Sequence, residues 1–437
     1  MKRAVLREEI IDRIAGMEVR GGRGKITWVL VVLVVAGVVI FVSAAFGSAA
    51  RQAWQVYLVN FLFWSGMAQM GLVFCAILSL TKSRWGWPIK RLAEATAAFL
   101  PISFVLFLVL IMGRGELFHW IHEPVHGREA WLNAPFLFTR DGIALALFYG
   151  CGLAFLYYSW RIDLGLVAER TGRRPAGELA AFIMRGWRGI DEEMTRAEKT
   201  RRVLAPILAL LYACVLSLIA FDLVMSLSPH WYSSLFGAYY FISTLDMGFA
   251  ALIILSLIGS RFFGLDEYIT PGCFHDLGKL LLAFTMLWAY FFYSQYLIIW
   301  YGNLPEEARY VILRTQMEPW KPLAFIVLAA CFVIPFLVLL SRKIKNHGPS
   351  MIILCLVVLV GMWLERYILV VPSITNHASF GVVEVGVTAG FFGLASLSWL
   401  FFMRHMPAVS LFDPGFPGRR ESLEGQAKTR GDKGAVR

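Results

Sequence analysis

The stretch TWVLVVLVVAGVVIFVSAAF, residues 27–46, contains no charged side chain. As a helix rising 1.5 Å per residue it covers about 30 Å, the thickness of a bilayer's hydrocarbon layer. Nine similar apolar runs follow, at 55–80, 92–112, 140–160, 203–227, 235–258, 276–299, 321–340, 350–371 and 382–403. Pro101, Pro206 and Pro335 fall inside these runs and predict kinks rather than ends, because neighbouring helices can satisfy the freed backbone groups. The chain of 437 residues is 58% hydrophobic and 16% charged, with a mean hydropathy of +0.64. An ordinary globular domain is about a quarter charged. The expected class is an all-α integral membrane protein with about ten transmembrane helices.

Charge predicts orientation. The N-terminal segment, the turn at 82–91, the connection at 161–202, the turn at 342–345 and the tail hold roughly thirty of the 41 Lys and Arg, and the alternate loops about seven. The positive-inside rule then places both ends in the cytoplasm. The net charge of +11 sits in those same loops, where anionic lipid and orientation explain it, so no nucleic-acid partner is expected. Trp54, Trp120, Trp131, Trp231, Trp300 and Trp320 are expected to form an interfacial belt at the opposite face.

Spans two to five laid beside spans six to nine start at the same face and share an aromatic entry, Phe61, Phe63 and Trp64 against Tyr239, Tyr240 and Phe241. Two four-helix bundles related as parallel repeats, flanked by the first and tenth helices, are the expected architecture. The expected divisions are a cytoplasmic segment 1–26, able to form an amphipathic helix, a flanking helix within 27–54, a first bundle at 55–234, a second at 235–374, a flanking helix at 375–405 and a disordered cytoplasmic tail at 406–437.

A haem held inside such a bundle needs axial histidines at membrane depth. His119, His122, His126, His230 and His377 fall in loops at one face and His275, His347 and His405 at the other. The run His119, His122, Glu123, His126 has metal-ligand spacing that is also ordinary in an interfacial helix, and no metal site is expected. Six cysteines stand apart without a CxxC pair, so neither a disulfide framework nor iron–sulfur ligation is expected.

Ionisable groups inside spans are costly in hydrocarbon and mark working interiors. Asp222 and Glu365 each lie about 9 Å from the same face, at matching places in the two repeats, and Asp246 lies deeper, about 16 Å from it. Asp222, Asp246, Glu365 and Arg366 are therefore candidates for proton transfer, or for structural pairing. Adjacent helical residues point about 100° apart, so Glu365 and Arg366 are expected to have separate partners. Lys279, beside Asp276 and His275, forms either a cytoplasmic mouth or a snorkelling anchor. Tyr290, Tyr293, Gln295 and Tyr296 line the far half of span seven, where their side chains either pack or hydrogen-bond a quinone carbonyl.

The strings FYSQYLIIWYGNLPEE (292–307), GMWLERYILVVPS (361–373), NFLFWSGMAQMGLVF (60–74) and RWGWPIKRLAEA (84–95) resemble the NrfD/PsrC-like membrane subunits of bacterial quinone-linked redox complexes. The resemblance runs over essentially all ten spans. It is nearest to the ActF-type subunits of alternative complex III, the quinol:cytochrome c oxidoreductase. It implies a subunit of a respiratory electron-transport complex that holds no redox cofactor itself and meets quinone, menaquinone among them. Its implied partners are a homologous ten-helix ActC-type subunit, an iron–sulfur subunit, multihaem and monohaem cytochrome c subunits carrying haem c, small membrane subunits and lipid. The WLER string makes Glu365 and Arg366 candidates by resemblance, while Asp222 and Asp246 join by position only. In that assembly the ActC-type neighbour is the usual quinol site. A secondary transporter and a purely structural anchor are the alternatives, since paired repeats with midplane charge occur in transporters too.

Overall fold

The computed structural model describes residues 24–172 and 177–411. The segment 1–23, expected to hold an amphipathic helix, and the tail beyond 411 lie outside the described residues. Ten helices among the described residues are long and apolar enough to cross a membrane: α1 Gly24–Ala45, α2 Ala50–Leu80, α3 Trp87–Leu117, α4 Ala134–Glu169, α5 Ile190–Leu227, α6 Phe236–Phe263, α7 Pro271–Gly302, α8 Trp320–Leu339, α9 Gly348–Ser373 and α10 Val382–His405. No strand occurs among the described residues. Several helices outrun their apolar runs. The 38 residues of α5 begin in the polar stretch Ile190–Arg202, where Asp191, Glu192 and Glu193 occupy the first turn and suit the positive end of the helix dipole.

Helices α2, α3, α4 and α5 close into one ring, each touching the next and α5 returning to α2; α6, α7, α8 and α9 close into a second. The rings meet where α6 packs on α2 and α5 and where α9 packs on α2. Helix α2 is thus the most enclosed span, and α7, with 17% of its apolar window buried, the least enclosed after α1. Helices α1 and α10 lie together against α2. Their approach needs glycine: a Cβ added to Gly37 would sit 2.5 Å from the Cα of Gly390. In lipid, where burying apolar surface gives helices no reason to associate, such close backbone contact is a main source of attraction.

The bundle has an end rich in Lys and Arg, here the basic end, and an opposite end. At the basic end the chain does not leave the fold after α10 as the expected disorder of 406–437 requires. Val409, Ser410 and Leu411 are buried, and Lys90 donates to the Ser410 hydroxyl at 3.3 Å. Two buried apolar side chains, Val409 and Leu411, and the Lys90 ammonium, itself 3.6 Å from Glu94, hold this segment in place. At the opposite end the expected tryptophan belt is only partly at the surface. Trp131 and Trp300 are exposed, whereas Trp54, Trp120, Trp231 and Trp320 are buried. These indoles pack against neighbouring rings instead, Trp54 against Phe41 of α1 and Tyr57, Trp231 against Phe236 and Tyr310.

Candidate functional site

Helix α9 brings Glu365 into the second ring one turn beyond Gly361. A Cβ on Gly361 would lie 2.7 Å from the Cβ of Ala330 and 2.8 Å from the Cys331 sulfur, so glycine is what lets α8 and α9 touch there. Helix α8 opens into a π-helical turn at the same level, Ala329–Val333. Above this contact the helices part and leave Glu365 facing space. Its Oε1 accepts from the Tyr239 hydroxyl and from Trp288 Nε1 at 2.9 Å, and its Oε2 accepts from Arg366 Nη1 at 3.0 Å. Arg366 Nη2 donates to Ser243 at 2.7 Å and Thr244 at 3.1 Å, and the guanidinium carbon lies 4.1 Å from the centre of the Tyr240 ring. A buried charge pair in low dielectric leans on hydrogen bonds to its remaining atoms, and α6 and α7 supply all but one of these, Arg366 Nε having no hydrogen-bond partner.

The expectation of separate partners for Glu365 and Arg366 is therefore overturned. The 100° rule describes where side chains leave the helix. Both are long enough to bend back toward one polar spot in an apolar interior, and desolvation rewards their doing so.

Toward the opposite end, Glu365 forms the floor of a half-open cleft of about 120 Å³, narrower than a typical small-molecule site. Trp231, Phe236, Tyr239, Trp288, Phe292 and Tyr296 give it flat aromatic walls, and Gln295, Tyr310 and Arg314 add polar groups. The short helix Pro305–Thr315 roofs it, with Tyr310, Val311, Arg314 and Thr315 on the cleft side. Arg314 is anchored by the carbonyls of Ile368 at 3.1 Å and Leu369 at 3.2 Å at the end of α9, and its guanidinium carbon lies 3.5 Å from the Tyr310 ring centre. Tyr310 stacks on Trp231 with centroids 3.7 Å apart. The Tyr310 hydroxyl and Trp231 Nε1 are buried without a hydrogen-bond partner in the protein. Burial pushes the Tyr310 hydroxyl above the ordinary tyrosine range, with Arg314 opposing, so it stays protonated and can both give and take a hydrogen bond.

Of the residues singled out from sequence, Glu365, Arg366, Gln295 and Tyr296 meet at or under this cleft. Asp246 lies deeper in the same ring, fully buried, accepting from Thr285 at 3.1 Å through one oxygen while the other has no partner. Tyr290 and Tyr293, 61% and 60% exposed, point away from the cleft. Lys279 is a surface residue at the basic end, 2.6 Å from Asp276 one turn earlier. Asp222 belongs to the first ring. A π-helical turn at Ala220–Val224 carries it, both its oxygens accept from Arg140 at 2.5 Å, and Trp131 Nε1 donates to it at 3.0 Å. The histidines of the α3–α4 loop do not converge: no group of three or more His, Cys, Asp or Glu among the described residues is placed to hold a metal ion.

Sequence reading passed over several residues. Arg140 and Asp141 read as the edge of a span, yet Asp141 is fully buried beside Asp222. At the basic end Arg91 donates to both Glu94 and Asp163, and Glu94 also accepts from Ser159 at 3.0 Å and Trp160 at 3.1 Å, all inside the first ring. Tyr310 and Arg314 lay in a segment read as loop. Their four-residue spacing in PEEARYVILRT, beside Val311 and Thr315, is the helical face that marks them.

Two closed rings of membrane-crossing helices, with a buried acid under an aromatic cleft, define a multi-pass membrane protein with a cleft inside its second ring. The family model described as polysulphide reductase, NrfD, matches residues 43–378, and the chain belongs to this family. Its members are membrane subunits of quinone-interacting oxidoreductase complexes and work with iron–sulfur and other redox subunits. No curated protein matches the chain. The chemistry of the cleft's lining suits a quinone: the aromatic walls match a flat ring, and the unpartnered Tyr310 hydroxyl and Trp231 N–H, with Gln295, match its oxygens.

Proposed function

We propose that this chain is the quinone-handling membrane subunit of a respiratory quinol:cytochrome c oxidoreductase of the alternative complex III type, with its quinone ring seated in the cleft above Glu365. One observation carries the reading: a buried carboxyl, held by Tyr239, Trp288 and Arg366, closes an aromatic cleft in which the Tyr310 hydroxyl and the Trp231 N–H lack partners. Bound quinol supplies two electrons and two protons. The residues of the chain orient the quinol and take up its protons. Tyr296 and Phe292 flank the ring, Gln295 and Trp231 address its oxygens, and Glu365 takes a proton while Arg366 keeps the developing charge stable. Asp246 is the next acid inward and serves as a store for protons moving along the ring interior. Asp222 has a salt-bridging role in the first ring, and Lys279 anchors the basic end. The basic end faces the cytoplasm, by the distribution of Lys and Arg. Iron–sulfur and haem c subunits and a homologous ten-helix subunit carry the electrons onward.

A pull-down of the tagged chain from mildly solubilised native membranes tests this assignment. Co-purification of c-type haem, an iron–sulfur subunit, a second ten-span protein and extractable quinone is expected. A chain recovered alone, without haem or quinone, contradicts it.

A further inference from the structure

A second cavity opens at the opposite end of the molecule, directly beyond the cleft. Trp231, Tyr310 and Arg314 line both spaces and so form the partition between them. The two cavities differ in character. The cleft is walled by aromatic rings, whereas the end cavity carries His230, Glu306, Arg309, Glu318, Ser373 and Asn376 and is open to the aqueous face. Within the partition, Arg314 is committed: its three nitrogens donate to the carbonyls of Ile368, Leu369 and Tyr310 and to the Ser373 hydroxyl. Trp231 has a single N–H, which can donate but cannot accept. Tyr310 alone of the three has a free group able to accept a proton on one side while giving one up on the other, since its buried hydroxyl makes no hydrogen bond within the protein.

We propose that Tyr310 is the proton relay between the cleft and the end cavity, so that the hydroquinone proton not taken by Glu365 leaves through the hydroxyl of Tyr310 toward the side where His230 stands. This rests on the cleft being the quinone site. In the step itself the ring O–H of a bound hydroquinone breaks, and its proton joins the Tyr310 oxygen as that oxygen's own proton passes to water in the end cavity beside His230. The two electrons of the hydroquinone leave to one-electron centres on a partner subunit. The stack on Trp231 and the fixed Arg314 hold Tyr310 in place, so the relay needs only rotation of the hydroxyl.

Tyr310→Phe is the informative variant, because it removes a hydroxyl without bonds and keeps the ring that stacks. In the intact complex, affinity for a fluorescent quinol-site inhibitor is measured beside quinol-driven reduction of an external electron acceptor, in water and in deuterium oxide. The expected result is inhibitor affinity lowered by no more than about tenfold, the loss of one hydrogen bond, with turnover lowered by about a hundredfold and an altered solvent isotope effect. His230→Ala is expected to lower turnover by a smaller factor that added imidazole restores. Unchanged turnover and isotope effect in Tyr310→Phe, with inhibitor still bound, would overturn the relay and leave the cleft standing. Failure of the native complex to bind the inhibitor at the cleft would remove the quinone site, and the relay with it.

Discussion

Arg366 Nη1 lies 3.0 Å from Oε2 of Glu365, its neighbour in the chain, and both side chains are buried in the second ring. Glu365→Gln keeps acceptors for Tyr239 and Trp288 but leaves the guanidinium without a countercharge. Breaking a buried pair in this way costs about 3–5 kcal/mol. A fall in thermal stability in detergent and a loss of quinol turnover of about a hundredfold are expected. The double variant Glu365→Gln with Arg366→Gln is expected to recover part of the stability and none of the turnover, which separates the structural role of the pair from its chemical one.

Gln295 and Tyr296 line the cleft, while Tyr290 and Tyr293 on the same helix face outward. Gln295→Leu is expected to weaken binding of a quinone analogue about tenfold, the loss of one hydrogen bond of roughly 1.4 kcal/mol. Tyr290→Phe and Tyr293→Phe are expected to leave it unchanged. Fluorescence quenching on titration with the analogue reads both.

Asp222 is held by Arg140 and Trp131 in the first ring, away from the cleft. Asp222→Asn is expected to lower stability by about 3 kcal/mol by stranding Arg140 and to leave analogue affinity as it is. Thermal denaturation and titration on the same preparation decide the matter. Full stability with slowed proton release would make Asp222 a proton carrier instead.

The spans themselves were legible because hydrocarbon thickness imposes a run length that few other constraints mimic. Helix ends were less so. Ile190–Arg202 is polar, and only the structure shows it winding on as α5. The interior contacts were harder still. Asp246, Glu365 and Arg366 stood out as charges in apolar surroundings, but which groups answer them depends on α6 and α7 crossing α9, and that is a matter of packing. Arg140 hid at the edge of a span. Tyr310 and Arg314 hid in a charged segment whose cleft-facing side emerges only once it is wound as a helix.

Gly37 and Gly390 let α1 and α10 meet backbone to backbone. Gly37→Val is expected to part the two helices, seen as lost cross-linking between cysteines placed in α1 and α10, while analogue binding in the distant second ring persists. Retained cross-linking would mean that lipid or a partner, not this contact, holds α1.

The location of the quinone is best measured with a photoactivatable azidoquinone, irradiated in native membranes and mapped by peptide mass spectrometry. Label on peptides carrying Trp231, Tyr296 or Tyr310, competed away by excess quinone and lost in Glu365→Gln, is the predicted result. Label confined to the first ring or to the lipid-facing side of α7, with none around the cleft, would contradict it.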